Sequence, residues 1–169
     1  MDENETYLWC GVFRDLNSEA RLSLTQLVIK GGAVKGTPDQ IGARLGRTRT
    51  LALLRVKATD RIVGVATLKN PHSGYRVNTF AAAAAPIAGY ETAPELGYVV
   101  IAKEMQGKRL SGGLVEAILK ELREPAYATT DSNTMRNNLE RSGFTRAGRE
   151  WQGKRGTLSL WTFVPRQGA

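Results

Sequence analysis

The segment ELGYVVIAKEMQGKRLSGG, residues 95–113, constrains the fold more than any other part of the chain. Its apolar run, Tyr98-Val99-Val100-Ile101-Ala102, has the length of a strand. An unbroken apolar middle predicts a strand over Glu95–Lys103 that is buried on both faces. Leu110, Leu114, Ile118 and Leu122 then recur every four residues, with Val115 beside them. That spacing predicts a helix over Gln106–Glu124, ended by Pro125. Between strand and helix lies a turn rich in glycine and cations. Such a turn either packs helix tightly on strand, or offers the free N–H groups and partial positive charge of the helix N-terminus to an anion. Gly107, Gly112 and Gly113 let backbone approach a ligand, and Lys108 and Arg109 add charge suited to phosphates.

Other elements follow from local signals. Asn17-Ser18-Glu19 reads as a helix start, Leu22, Leu24, Leu27 and Val28 as its apolar side, and Gly31-Gly32 as its stop. A second helix starts at Thr37-Pro38 and runs through Ile41 and Leu45. Thr50–Lys57 and Ile62–Lys69 flank a short polar connection and predict a hairpin. Residues 70–94 show no clear period and read as a long loop, either a functional border or a disordered surface loop. It carries His72, Tyr75, Arg76, Phe80, Tyr90 and Glu91, and the alanine run Ala81–Ala85. Ala126–Thr130 reads as a short strand. Asp131 or Ser132 caps a helix with Met135 and Leu139 on one face, closed by Gly143. Phe144–Gln152 and Thr157–Val164 form a final antiparallel pair, with Trp151 and Trp161 as core or interface residues. A further strand is expected around Tyr7–Phe13.

A length of 169 residues suits a single domain spanning 1–169. The longest apolar run, Phe80–Ala88, contains Pro86 and falls short of the roughly 20 residues that span a bilayer. The acidic start, Met1-Asp2-Glu3-Asn4-Glu5, does not resemble a secretory signal. Cys10 is the sole cysteine and His72 the sole histidine, so the sequence offers neither an internal disulfide nor a metal cluster. A cytoplasmic location without membrane contact is the expectation. The net charge of +8 is either a solvated basic surface or an attraction for a phosphorylated cofactor, an acidic protein or RNA. No RNA-binding motif accompanies it.

The strand, the turn Gln106-Gly107-Lys108-Arg109-Leu110-Ser111-Gly112 and the helix resemble the acetyl-CoA motif of the GNAT N-acetyltransferase superfamily. That motif runs Gln or Arg, two residues, Gly, one residue, then Gly or Ala. Asp131–Phe144, DSNTMRNNLERSGF, resembles the family's next motif, and the order of elements from about residue 17 to 164 is also similar. The resemblance implies a mixed α/β (α+β) fold with a central, mostly antiparallel sheet of six to seven strands and about four flanking helices. It implies acetyl-CoA as co-substrate and direct acetyl transfer to an amine: a small molecule, a protein or an aminoacyl-RNA. Pantetheine would lie where the strands Glu95–Lys103 and Ala126–Thr130 splay. Backbone groups of Val99, Val100 and Ile101 would bond to it, and one N–H would polarise the thioester. The turn residues Gln106, Gly107, Lys108, Arg109, Leu110, Ser111 and Gly112, with Gly113, would hold the pyrophosphate. Asn133 or Ser132 would bond the pantetheine arm, unless Ser132 serves only as a helix cap. The connection 70–94, where it is functional, would border the acceptor site.

Glu95 lies eleven residues before Gln106, a spacing similar to that of the catalytic Glu in the histone-acetyltransferase branch. An alkyl ammonium must lose a proton before it attacks, and a carboxylate between buried strands suits that task. Two positions depart from the pattern. Arg109 stands at the first motif glycine and Ser111 at the second small residue, with Gly112-Gly113 alongside. Leu139 stands where many members have a Tyr that protonates the departing thiolate; water, Tyr98 or Tyr127 are the substitutes at hand. These departures define one alternative, a catalytically weak acetyl-CoA sensor; the +8 charge defines another, a basic RNA-associated protein. A homodimer through the last strands also fits the resemblance. The basic charge argues against polycationic acceptors unless the acceptor cleft is locally acidic.

Overall fold

The computed structural model describes residues 2–32 and 34–166. Its architecture is mixed α/β, with seven strands in a mostly antiparallel sheet and five α-helices among the described residues. The chain divides into two compact units. The first takes in the chain up to Lys69 together with Tyr98–Lys120; the second takes in Asn70–Gly97 and the chain from Glu121 on.

In the first unit, β1 (Thr6–Gly11), β2 (Thr50–Val56) and β3 (Ile62–Lys69) pair antiparallel in that order. The later residues of β4 (Glu95–Ile101) lie beside β3. Asn17 starts α1 (Ser18–Lys30) as expected: its side chain accepts a 2.8 Å bond from the Ala20 N–H. Thr37 and Gln40 close a capping box at the start of α2 (Pro38–Gly46). The Gln40 N–H donates to Thr37 at 3.2 Å and the Thr37 N–H donates to Gln40 at 2.9 Å. Such a cap contributes about 1 kcal/mol. Leu24, Val28, Ile41 and Leu45 pack with Leu51, Leu53 and Val65 in the core of this unit. Each such side chain contributes roughly 1.5–3 kcal/mol relative to exposure. Leu22 does not join them and is 53% exposed. Two helical steps turn it about 200° from Leu24, onto the solvent face.

α4 (Leu110–Leu119) is shorter than the predicted Gln106–Glu124. Gly107 and Arg109 both have positive φ, 83° and 59°, which keeps residues before Leu110 out of the helix. α4 packs close at Gly64, where an added Cβ would meet Ile101 Cδ1 and Leu114 Cδ1 at 2.9 Å. The apolar middle of β4 departs from expectation as well. Tyr98 to Ile101 are only half-buried, so this stretch is not covered on both faces.

In the second unit, β4 begins opposite β5 (Ala126–Thr130) in parallel, with Glu95 across from Tyr127. β5 pairs antiparallel with β7 (Thr157–Phe163), which pairs antiparallel with β6 (Thr145–Gln152). Ser132 caps α5 (Asn133–Arg141) and Gly143, with φ of 97°, closes it. The supposed loop 70–94 contains a helix, α3 (Ser73–Ala82). Its N-cap, His72, makes no side-chain cap bond, and Tyr75 and Val77 face solvent, so neither the start nor the period announced it. Phe80 of α3 packs tilted against Tyr90 and edge-to-face against Tyr127, at ring-centroid distances of 5.4 and 5.3 Å. Trp161 is a core residue whose indole N–H donates to Ser159 at 2.8 Å. No helix among the described residues is long and apolar enough to cross a membrane.

Candidate functional site

The turn before α4 is built from two left-handed residues. Gly107 adopts that conformation without penalty, whereas Arg109, at φ 59° and ψ 27°, carries a Cβ there at a cost of about 1–2 kcal/mol. Arg109 is the N-cap of α4 and supplies no side-chain cap, and the first turn of the helix holds no acidic residue. The positive end of this helix dipole is therefore not complemented from within its own first turn. Lys108 and Arg109 are exposed beside it. Gly113 lies inside α4, where glycine costs about 1 kcal/mol relative to alanine. Beyond its own helical turn and chain neighbours, an added Cβ at Gly113 would meet nothing within 4 Å, so packing against the rest of the protein does not require glycine there. A cationic helix end with an open, side-chain-free approach fits a pyrophosphate.

Gln106 anchors this turn to β4. Its side-chain amide donates to the Ile101 carbonyl at 3.1 Å. The Ala102 N–H in turn donates to the Val63 carbonyl at 2.8 Å, fixing the end of β4 against β3. Val99, Val100 and Ile101 line an open cleft of about 790 Å³ in the first unit, beside α1 and the 3-10 turn Lys103–Met105. Ser23, Gln26 and Lys30 of α1 line it too. Sequence reasoning missed these three because polar residues at helical spacing look like any solvated face. The adjoining Gly31 was the available signal. Tyr98 has a positive φ of 44°, which breaks the regular pleat of β4, and the Lys69 ammonium lies 4.7 Å from its ring centroid.

In the second unit, Glu95 is buried, at 4% exposure. Burial first, and then the nearby Glu95 carboxylate, push the Tyr127 phenol far above its ordinary pKa; the Arg76 charge pulls it partly back. Arg76 is itself buried and donates to the Ala93 carbonyl at 2.7 Å. Glu95 therefore lies buried beside the Tyr127 phenol, which also feels the Arg76 charge. Asn133 is exposed at the first position of α5. Ser132 spends its hydroxyl on the Met135 N–H at 3.2 Å. Leu139 is fully buried and has no proton to give. His72 is exposed at the start of α3. No group of His, Cys, Asp and Glu among the described residues could hold a metal ion.

No protein-family model and no curated protein sequence matches the chain. Solved structures do resemble it. A GNAT-family acetyltransferase from Streptococcus agalactiae superposes with a TM-score of 0.71 at 10% identity, covering 95% of this chain and 96% of its own. An acyl-CoA N-acyltransferase from Pseudomonas aeruginosa gives 0.67 at 13% identity, over 95% and 100%. The ribosomal-protein-S18-alanine N-acetyltransferase of Escherichia coli gives 0.65 at 11% identity, over 96% and 97%.

Proposed function

Because the chain has the fold of the GNAT acetyltransferases, we propose that it binds acetyl-CoA and transfers the acetyl group directly to an amine. The observation that carries the proposal is the turn at the start of α4. Its two left-handed residues and its open glycine leave a cationic helix end facing outward. Because these structural neighbours match nearly the whole of both chains, the proposal treats residues 1–169 as one acetyltransferase domain.

In this reading residues 106–113 hold the pyrophosphate through backbone N–H groups, aided by Lys108 and Arg109. Backbone groups of Val99, Val100 and Ile101 hold the pantetheine arm, and one N–H polarises the thioester carbonyl. Asn133 adds a hydrogen bond to that arm. When bound, acetyl-CoA supplies an acyl carbon open to nucleophilic attack. Glu95 accepts the acceptor's proton, directly or through a water. Cys10, the sole cysteine, lies on β1 outside the motif segments, so the reading assigns no acetyl-cysteine relay. Leu139 cannot protonate the departing thiolate, and the raised pKa of Tyr127 makes it a poor donor. The reading therefore leaves that proton to water or to Tyr98. The reading includes a cytoplasmic location and a homodimer; RNA contact belongs to the alternative that rests on the +8 charge.

Calorimetric titration with acetyl-CoA tests the proposal, run beside the double variant Gly112→Glu with Gly113→Glu. Micromolar binding lost in the folded variant, together with thiol release when amines are added, is the expected result. Binding without thiol release from any amine would favour a sensor. No binding at millimolar acetyl-CoA by folded protein would overturn the proposal and leave the +8 charge, and RNA, as the next lead.

A further inference from the structure

The cleft beside α1 carries a charge pattern that bears on the acceptor. Its volume of about 790 Å³ falls in the size range of small-molecule sites, roughly 300–1,000 Å³. Packing fixes its shape. An added Cβ on Gly31 would stand 2.8 Å from Val100 Cγ1, so the absence of a side chain lets the end of α1 lie against β4. Ser23, Gln26 and Lys30 recur at helical spacing and share one face of α1. Arg61, the residue before β3, and Lys103 of the 3-10 turn also line the cleft.

One carboxylate lines this cleft, Glu104, and Arg61 engages it in an ion pair. The hydrogen bond from Arg61 foremost, with a smaller pull from the Lys30 charge, holds Glu104 below the usual carboxylate range. It is ionised and already engaged at neutral pH. Among the described residues, no hydrogen-bond or ion-pair acceptor engages the ammonium groups of Lys30 and Lys103. Two ammonium groups that make no ion pair or hydrogen bond, beside an acid already paired with Arg61, repel polycations and attract anions. Gln26 and Ser23 add neutral donors on the same wall.

We infer that this cleft selects an amine acceptor that also bears an anionic group, a carboxylate or a phosphate, which Lys30 and Lys103 meet. The inference rests on the acetyltransferase proposal for the fate of the amine, but not for recognition of the anion.

The test uses two pairs of amines. Alanyl-alanine and its C-terminal amide differ only in the carboxylate; aminoethyl phosphate and ethanolamine differ only in the phosphate. Thiol release from acetyl-CoA is followed for the wild-type protein and for Lys30→Gln with Lys103→Gln, and calorimetry reads acetyl-CoA affinity in both. The expected result is that kcat/KM favours the anionic member of at least one pair by about tenfold or more. That preference shrinks to about twofold in the double variant, while acetyl-CoA affinity holds. Equal rates within both pairs overturn the inference, as does a preference that survives the double variant. Loss of acetyl-CoA affinity in the variant also overturns it and assigns the cleft to the cofactor. If no amine is turned over, calorimetry with the same four compounds decides. Anion-selective binding lost in the variant upholds the cleft and overturns only the catalytic proposal; its absence overturns the inference.

Discussion

The Ala83 carbonyl lies 2.0 Å from where a Cβ on Gly148 would stand. The same carbonyl accepts a 2.7 Å hydrogen bond from the Arg149 N–H. The register of β6 against β7 shifts between Ala147 and Trp151, and Gly148 takes φ of 66° within that irregularity. The end of α3 is thus seated on a bulge that only glycine can make.

Gly148→Ala meets both a left-handed backbone and a carbonyl that cannot yield without losing its bond. We expect a loss of roughly 2–5 kcal/mol of stability, read from denaturant unfolding midpoints. Gly89→Ala is the control. Gly89 has φ of 92°, but an added Cβ there meets nothing within 4 Å, so only about 1–2 kcal/mol should be lost. Equal losses in the two variants would mean that the contact with Ala83 contributes nothing.

Elements whose signals are local could be read from the sequence, because their causes are local. Asn17, the Thr37-Pro38-Gln40 box and the β2–β3 hairpin each form from residues a few positions apart. The bulge at Gly148 and α3 could not, since His72 gives no cap bond and the glycine is required by a carbonyl far away in sequence. The apolar middle of β4 misled for a related reason. A run such as Tyr98–Ile101 means burial when another element covers it, and part of this run lines a cleft instead. Of the candidate site, the glycine-rich turn was readable because its chemistry is contiguous. Ser23, Gln26 and Lys30 were not, since their meaning depends on what faces them.

Tyr127 gives the chain a pH signature. Its folded-state pKa lies above the ordinary value near 10, raised by burial and then by Glu95. Such a group contributes stability that is fully present below the unfolded pKa near 10. That contribution is lost as pH rises toward the folded value. Absorbance titration at 295 nm should therefore show one of the five tyrosines failing to ionise until the protein unfolds. Tyr127→Phe should remove that silent tyrosine and flatten the loss of stability above pH 10. Ionisation of all five near pH 10 in the folded protein would contradict the burial of this phenol.

Arg109→Gly separates strain from charge. Glycine relieves the left-handed penalty at φ 59°, but its freer unfolded chain offsets much of the gain. Net stability should change by less than about 1 kcal/mol. If the guanidinium meets a phosphate, acetyl-CoA affinity should fall by about tenfold or more, and the salt dependence of binding should weaken. Unchanged affinity across salt concentrations would remove Arg109 from the binding site.

Gly113→Ala asks whether α4 is built for itself or for a ligand. Within a helix alanine is favoured over glycine by about 0.5–1 kcal/mol, and nothing beyond its own helical turn and chain neighbours lies within 4 Å of the new methyl to oppose it. Judged by the protein alone, the variant should be more stable, with Tm raised by about 1–4 °C. Judged by the proposed pyrophosphate site, the methyl intrudes on the side from which the ligand approaches. Acetyl-CoA affinity should then fall by about tenfold or more while the fold gains stability. Opposite signs in thermal unfolding and calorimetry would identify Gly113 as a residue kept for binding at the expense of its helix. A rise in both would show that the ligand does not approach this face, and the pyrophosphate assignment would move back along the turn toward Gly107 and Arg109.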